Sequence, residues 1–206
     1  MEREPISRYA KGEARTQEIL DATIDLIFEE GISAVTHRAV AKRAGVGASA
    51  PSYFFPSIED LVVQAFRSTM RAMIADIDRL TSRMIEEEMT REQAVDAYID
   101  LVTSSAPKYD KLQYEAYLFA ARRPSLRDEV NAAIAATHRS GGALVTASGR
   151  SDLGWAAPIL TALADGFGLY RVAAPDGTGF QGLREGLLAL MEALPGRGAD
   201  GLTEGM

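Results

Sequence analysis

Val35-Thr36-His37-Arg38-Ala39-Val40-Ala41-Lys42-Arg43-Ala44-Gly45-Val46, continuing into Gly47-Ala48-Ser49-Ala50-Pro51-Ser52-Tyr53-Phe54-Phe55-Pro56, is the stretch on which the fold turns. Thr36 is a good N-cap for a short helix that stops at Ala44. Gly45 can turn left-handed at no steric cost, and a second short helix follows over Ala48 to Phe54. Two helices that cross closely need a small residue at the crossing, and Ala41 supplies it. Val35, Val40, Ala44, Val46 and Phe54 or Phe55 can bury the inner faces. The second helix opens on Ala48, Ser49, Ala50 and Ser52, small enough to bring its start against base edges in a groove. This is the pattern of a helix-turn-helix. Pro51 fits because it falls in the first turn, where an N–H has no helical partner.

Working outward, helical periodicity dominates and strand-like alternation is absent over any length. One helix is expected before the motif, from about Gly12 to Glu30, with Ile19, Thr23, Leu26 and Ile27 on one face and Gly31 as its stop. After Pro56, Ser57 with Asp60 reads as a capping box that opens a long fourth helix, ending between Met84 and Met89. A fifth helix carries Ala94, Tyr98, Leu101 and Val102 and is expected to stop at Pro107. A sixth runs from Tyr109 to Ala121, and a seventh is expected to start at an N-cap on Ser125. Gly141-Gly142 inside it costs about 1 kcal/mol per glycine relative to alanine, which suggests a kink or a close crossing. An eighth covers Leu153 to Ala173 and a ninth Phe180 to Leu194. The expected fold is all-α, with about nine helices. Its division is an N-terminal three-helix DNA-binding domain over 1–56, a helical ligand-binding and dimerisation domain over 57–194, and a disordered tail over 195–206.

The motif resembles the DNA-binding domain of the TetR (tetracycline-repressor-like) family. Thr36, Val40, Ala41, Ala44, Gly45 and Val46, then the aromatic pair Phe54-Phe55 and Pro56, carry the likeness, which is close over about residues 15 to 62. Weaker likenesses lie at Tyr114 to Arg127 and at Ala162 to Phe167. The resemblance implies a ligand-responsive DNA-binding transcriptional regulator, by family default a repressor released from its operator by a small, largely apolar molecule. It also implies a homodimer on double-stranded DNA with a palindromic operator. Many members have Lys where Ala48 stands, Tyr where Ser52 stands and Lys where Ile58 stands, so phosphate anchoring shifts to other residues here. Thr36, His37, Arg38, Lys42, Tyr53 and the N-terminal arm are the candidates for phosphate, and Ala48, Ser49, Ala50 and Ser52 for base edges, with Thr36 and Arg38 as neighbours. A helical binding or scaffold protein that has lost DNA affinity is the alternative that these departures leave open.

The charge pattern agrees with a DNA-reading head on a larger body. The net charge is −7, yet no Asp or Glu occurs from Gly31 to Ile58, where Arg38, Lys42 and Arg43 stand. Cysteine is absent, which excludes disulfides and thiolate chemistry. No apolar run is long enough to span a membrane and the N-terminus lacks a secretory h-region, so a cytoplasmic location is expected. No catalytic constellation, metal cluster or cofactor motif appears, so no enzyme activity and no cofactor are expected. Glu86-Glu87-Glu88 reads as a solvated helix end.

In the body, the ligand candidates are Met73, Tyr98, Val102, Tyr114, Glu115, Leu118, His138 and Phe167, with Glu115 and His138 as polar anchors. The same apolar and aromatic stripes also fit an ordinary core. The dimer candidates are Pro158, Ala162, Gly166 and Tyr170 on the eighth helix and Leu183, Leu187 and Leu190 on the ninth. The leucine stripe fits a protomer's own core equally well. The fourth helix joins head to body and is the expected lever between DNA and ligand.

Overall fold

Two glycines set the corners of the N-terminal unit. The structure, a computed structural model, describes residues 8–104, 107–174 and 182–193. Helix α1 (Arg8–Glu30) ends at Gly31, whose φ of 85° turns the chain into a short 3₁₀ turn, Ile32–Ala34. Helix α2 (His37–Ala44) starts where Thr36 Oγ1 accepts a hydrogen bond from the Ala39 N–H at 3.1 Å. It closes in a Schellman motif. Gly45 is left-handed at φ 64°, its N–H donates to the Lys42 carbonyl, and the Val46 N–H donates to the Ala41 carbonyl at 3.0 Å. Helix α3 (Ala50–Phe54) is a single turn and a half, with buried Pro51 in its first turn as expected.

Helix α4 (Ile58–Glu86) is the spine, about 43 Å long at 1.5 Å per residue. Ser57 Oγ accepts from the Asp60 N–H at 3.0 Å and donates to Asp60 Oδ2 at 2.8 Å. The box thus closes through the hydroxyl and not through the Ser57 backbone. Then come α5 (Arg91–Ser104), α6 (Pro107–Arg122), α7 (Arg127–Ala147), α8 (Ala157–Ala173) and α9 (Leu183–Ala193). The described residues thus form nine α-helices and no strand, the all-α order expected. The loop at 175–181 and the tail at 195–206 lie outside the described residues.

Three local expectations are corrected. Pro107 does not end α5 but opens α6, where its fixed φ suits a first helical turn and its missing N–H costs nothing. Ser125 is not the N-cap of α7. It lies in a 3₁₀ turn, Pro124–Leu126, and α7 starts after Leu126 without a side-chain cap. The Ser125 carbonyl is instead taken by the Arg67 guanidinium of α4 at 3.0 Å. The eighth helix is also shorter than expected, because Ser151–Ala156 is a 3₁₀ segment that leads into it.

α4 packs mainly along α7, and α7 along α8. Two hydrophobic cores share α4. The first gathers Ile19, Ile27, Val40, Phe55, Leu61 and Phe66 with Leu112, Leu126 and Ala133, so it continues from the motif into α6 and α7. The second gathers Leu80, Met84, Val95, Leu144, Leu160 and Leu183 at the far end. Gly141 lies where α7 meets α8. A Cβ built there would stand 2.8 Å from the Ala157 carbonyl oxygen and 2.9 Å from Thr161 Cγ2. Gly142 faces open space. Of the two sequence readings for the glycine pair, close crossing holds at Gly141, and α7 continues unbroken to Ala147.

Candidate functional site

The helix-turn-helix turns the residues its motif marked apolar inward, buried or half-buried, and leaves most of those it marked polar exposed. Val35, Val40, Ala41 and Phe55 are buried. Ala48, Ser49 and Ser52 are exposed at the start of α3, and Ala50 is half-buried. Tyr53 is 82% exposed, its ring edge-on to Phe54 at 5.2 Å between centroids. A large aromatic held in solvent, its hydroxyl making no hydrogen bond among the described residues, is suited to a polar partner outside the chain.

Arg38 and Lys42 are exposed, one helical turn apart on α2, and make no ion pair among the described residues. Arg43, by contrast, is tied to Glu29 at 2.6 Å and also faces Glu30. Thr36 spends its oxygen's acceptor role on the α2 cap. His37 has a structural task that the sequence did not signal. Its Nε2 bonds the Phe55 carbonyl at 2.8 Å, clamping the end of α3 to the start of α2. The structure therefore brings Thr36, Arg38, Lys42, Ser49, Ser52 and Tyr53 to the motif's exposed side and turns one nitrogen of His37 inward.

A second site opens in the body, in a cavity of about 480 Å³. It lies along the middle of α4, from Thr69 to Ile77, where the two cores part. Met73, Tyr98, Val102 and Tyr114 line it as the sequence suggested, and so do Met70 and Leu101. Four expected residues do not. Leu118 is 58% exposed on the outer side of α6. Glu115, His138 and Phe167 are half-buried but lie off the lining, because their helix faces turn one residue or more away from it. The polar wall is instead Asp76, Asp110, Gln113, Thr137 and Asp165. Asp110, Gln113 and Asp165 stand beside Tyr114 and Gly166, and only the contact of α6 with α8 brings them together.

Hydrogen bonds fix this wall. The Tyr114 hydroxyl donates to the Asp165 carbonyl at 2.6 Å, and it fills the space where Gly168 has no side chain, 2.8 Å from a Cβ built there. Gln113 Nε2 reaches Tyr117 Oη at 3.2 Å and Asp165 Oδ1 at 3.3 Å. Arg171 on α8 pairs with Asp110, its Nε donating at 2.7 Å, and donates to the carbonyls of Thr103 and Val102 at 3.2 and 3.3 Å. Burial pushes the carboxyls of Asp110 and Asp165 above the usual range; Arg171 opposes the rise at Asp110 and Gln113 opposes it at Asp165. Burial likewise raises the Tyr98 and Tyr114 hydroxyls, and pushes Tyr117 up to about 12.

The cavity and the motif are physically joined. Lys111, next to Asp110 on α6, donates from Nζ to the Phe28 carbonyl at 2.6 Å and lies 5.3 Å over the Phe28 ring near the end of α1. On the other side, Arg67 of α4 pairs with Glu129 of α7.

The exposed face of α8 holds Pro158, Ala162 and Tyr170, with Gly166 half-buried; Ile159 and Leu169, not anticipated, are exposed there too. On α9, Leu183 and Leu187 are 0% exposed, which corrects their assignment to an interface: they belong to the protomer's own second core. Leu190 is half-buried.

Residues 19–65 match the family described as bacterial regulatory proteins, tetR family, and residues 89–196 match the tetracyclin repressor-like C-terminal domain. Among solved structures, a proposed transcriptional regulator from Streptomyces coelicolor A3(2) is 31% identical, with 87% of this chain and 99% of that chain covered and a TM-score of 0.64. A TetR-family member from Streptomyces coelicolor A3 is 26% identical over 85% of this chain and 97% of that one, with a TM-score of 0.66. The multidrug binding protein EbrR complexed with ethidium is 26% identical over 85% of this chain and 98% of that one, with a TM-score of 0.62. No sequence match was found among curated proteins.

Proposed function

Because the chain belongs to the TetR family of bacterial regulatory proteins, whose members are DNA-binding regulators and not enzymes, we propose that it is a homodimeric repressor whose hold on an operator is broken by a small molecule in the α4 cavity. The observation that carries this reading is a surface on α2 and α3 with an exposed tyrosine and two cations that make no ion pair among the described residues, joined through α6 and α4 to a cavity in the body. EbrR, which has the same fold, binds ethidium, and this supports the cavity as the effector's place.

Phosphates take Arg38, Lys42, Tyr53 and the Thr36 hydroxyl, and base edges take the exposed start of α3. One such module reads few base pairs, so two-fold pairing through the uncovered face of α8 would set the half-site spacing on a palindromic operator. Residues 1–56 act as the reading head and 57–194 as the sensing body. Among the described residues no helix is long and apolar enough to cross a membrane, and DNA places the regulator's work in the cytoplasm.

Release is a population shift. A ligand that fits the cavity better in one arrangement of α4 and α6 favours head positions that miss successive major grooves. The chain offers two links for this, the continuous α4 and the Lys111 bond to α1. Fluorescence anisotropy on genomic fragments, at graded salt, tests it. Binding with a steep negative salt slope is the expected result. Absence of binding at low salt would favour the scaffold alternative that Ala48, Pro51 and Ile58 suggest.

A further inference from the structure

The charges of the cavity wall do not balance. Asp76 at the rim is matched by Arg79, and Asp110 is matched by Arg171. Asp165 has no cation at ion-pair distance among the described residues; its carboxylate has one long contact, from Gln113 at 3.3 Å, with His138 only in electrostatic reach. A half-buried carboxylate in this position is costly to keep ionised, and among the described residues no guanidinium or ammonium pairs with it to offset the cost. Two tyrosines, Tyr98 and Tyr114, line the same cavity with Met70, Met73, Leu101 and Val102. Ring faces attract a cation, and the apolar wall accepts the body of an organic molecule.

We infer that this cavity takes an organic cation with an aromatic or apolar body, its charge set against the Asp165 carboxylate and its body between Tyr98, Tyr114 and the aliphatic side chains of α4 and α5. This rests on the cavity being the effector site. An anion would be repelled by Asp165, and a neutral guest would strip water from it without supplying a partner, so the wall selects for positive charge.

The test uses the full-length protein, freed of DNA, with two fluorescent probes: ethidium, a cation, and N-phenyl-1-naphthylamine, which is neutral. Ethidium should bind, and Asp165→Asn should weaken it about tenfold, equivalent to about 1.4 kcal/mol, while the neutral probe binds the variant no worse. Asp76→Asn, at the solvent-facing rim, should weaken ethidium only about twofold. On the unmodified protein, benzyltrimethylammonium should displace ethidium at concentrations where its neutral carbon analogue neopentylbenzene does not, a comparison independent of how any variant folds. If the neutral probe binds and ethidium does not, or if neopentylbenzene competes as well as the ammonium, the cation assignment is wrong and the cavity reading stands. If neither probe binds, both are wrong.

Discussion

The motif and the cavity place charge in opposite ways. Around α2 and α3 the chain lacks acids from Gly31 to Ile58 and leaves Arg38 and Lys42 outward in water, without an ion pair among the described residues. In the body a carboxylate, Asp165, is turned inward with no cation at ion-pair distance among the described residues. An exposed unpaired cation costs little, because water solvates it until a phosphate arrives. A half-buried unpaired carboxylate costs more, because the wall around it cannot solvate it fully. The chain holds the first charge ready for a partner at almost no expense to stability, whereas the second is maintained against stability. Sites of the second kind are where function and stability are expected to conflict.

The largest expected effect removes the body and spares the motif. Gly141→Val should lower stability by about 2–3 kcal/mol, because its Cβ meets the Ala157 carbonyl, which is backbone and cannot move cheaply. A melt some 5–10 °C lower, with loss of ethidium binding, is the expected reading at about 2–4 °C per kcal/mol. An unchanged melting temperature would mean that α7 and α8 are not held at this distance.

Next comes a change confined to the motif. Arg38→Ala with Lys42→Ala should reduce DNA affinity about 10- to 100-fold at moderate salt, and flatten the salt slope by about one for each phosphate that is no longer neutralised. Ethidium affinity should not change. A DNA affinity that survives with the same slope would place the phosphate-binding groups elsewhere.

The sharpest contrast is smaller in size. In ligand-free protein, Asp165→Asn should raise the melting temperature by a few degrees near neutral pH, worth about 1 kcal/mol. Arg38→Ala should leave it unaltered. The Asp165 carboxyl titrates higher in the folded chain than in the unfolded one, burial being the main cause. Proton binding therefore favours the folded wild type at low pH, and that contribution is lost as pH rises through the raised value. The advantage of the Asn variant should accordingly vanish as pH falls through that value. A gain that persists in acid would mean that the variant stabilises by packing and not by removing charge. The smallest effect is Gly142→Ala, with open space around its Cβ, which should stabilise α7 by about 0.5–1 kcal/mol.

The two regions also differ in how far they could be read in advance. The motif is local. Caps at Thr36 and Ser57, the left-handed corner at Gly45 and the buried position of Ala41 all follow from neighbours within a few positions, and the structure places them there. Local reading failed where a residue's partner is distant in sequence, as with His37 and the Phe55 carbonyl, or the Ser125 carbonyl and Arg67. In the body, helical periodicity identified apolar faces but not what each face meets. Leu183 and Leu187 had the spacing of an interface and are core; Leu118 had the spacing of core and is exposed.

Sequence alone determined the nine-helix order, the helix-turn-helix and its caps, because each depends on backbone preferences and side chains one or two turns apart. The cavity was decided by tertiary structure. Its polar wall draws Asp76 from α4, Asp110 and Gln113 from α6 and Asp165 from α8, and no local preference links residues that far apart. Whether a carboxylate there meets a guanidinium, as Asp110 does, or meets none among the described residues, as Asp165 does, depends on how α6 and α8 pack, since charge pairing depends on distance and burial and not on residue type.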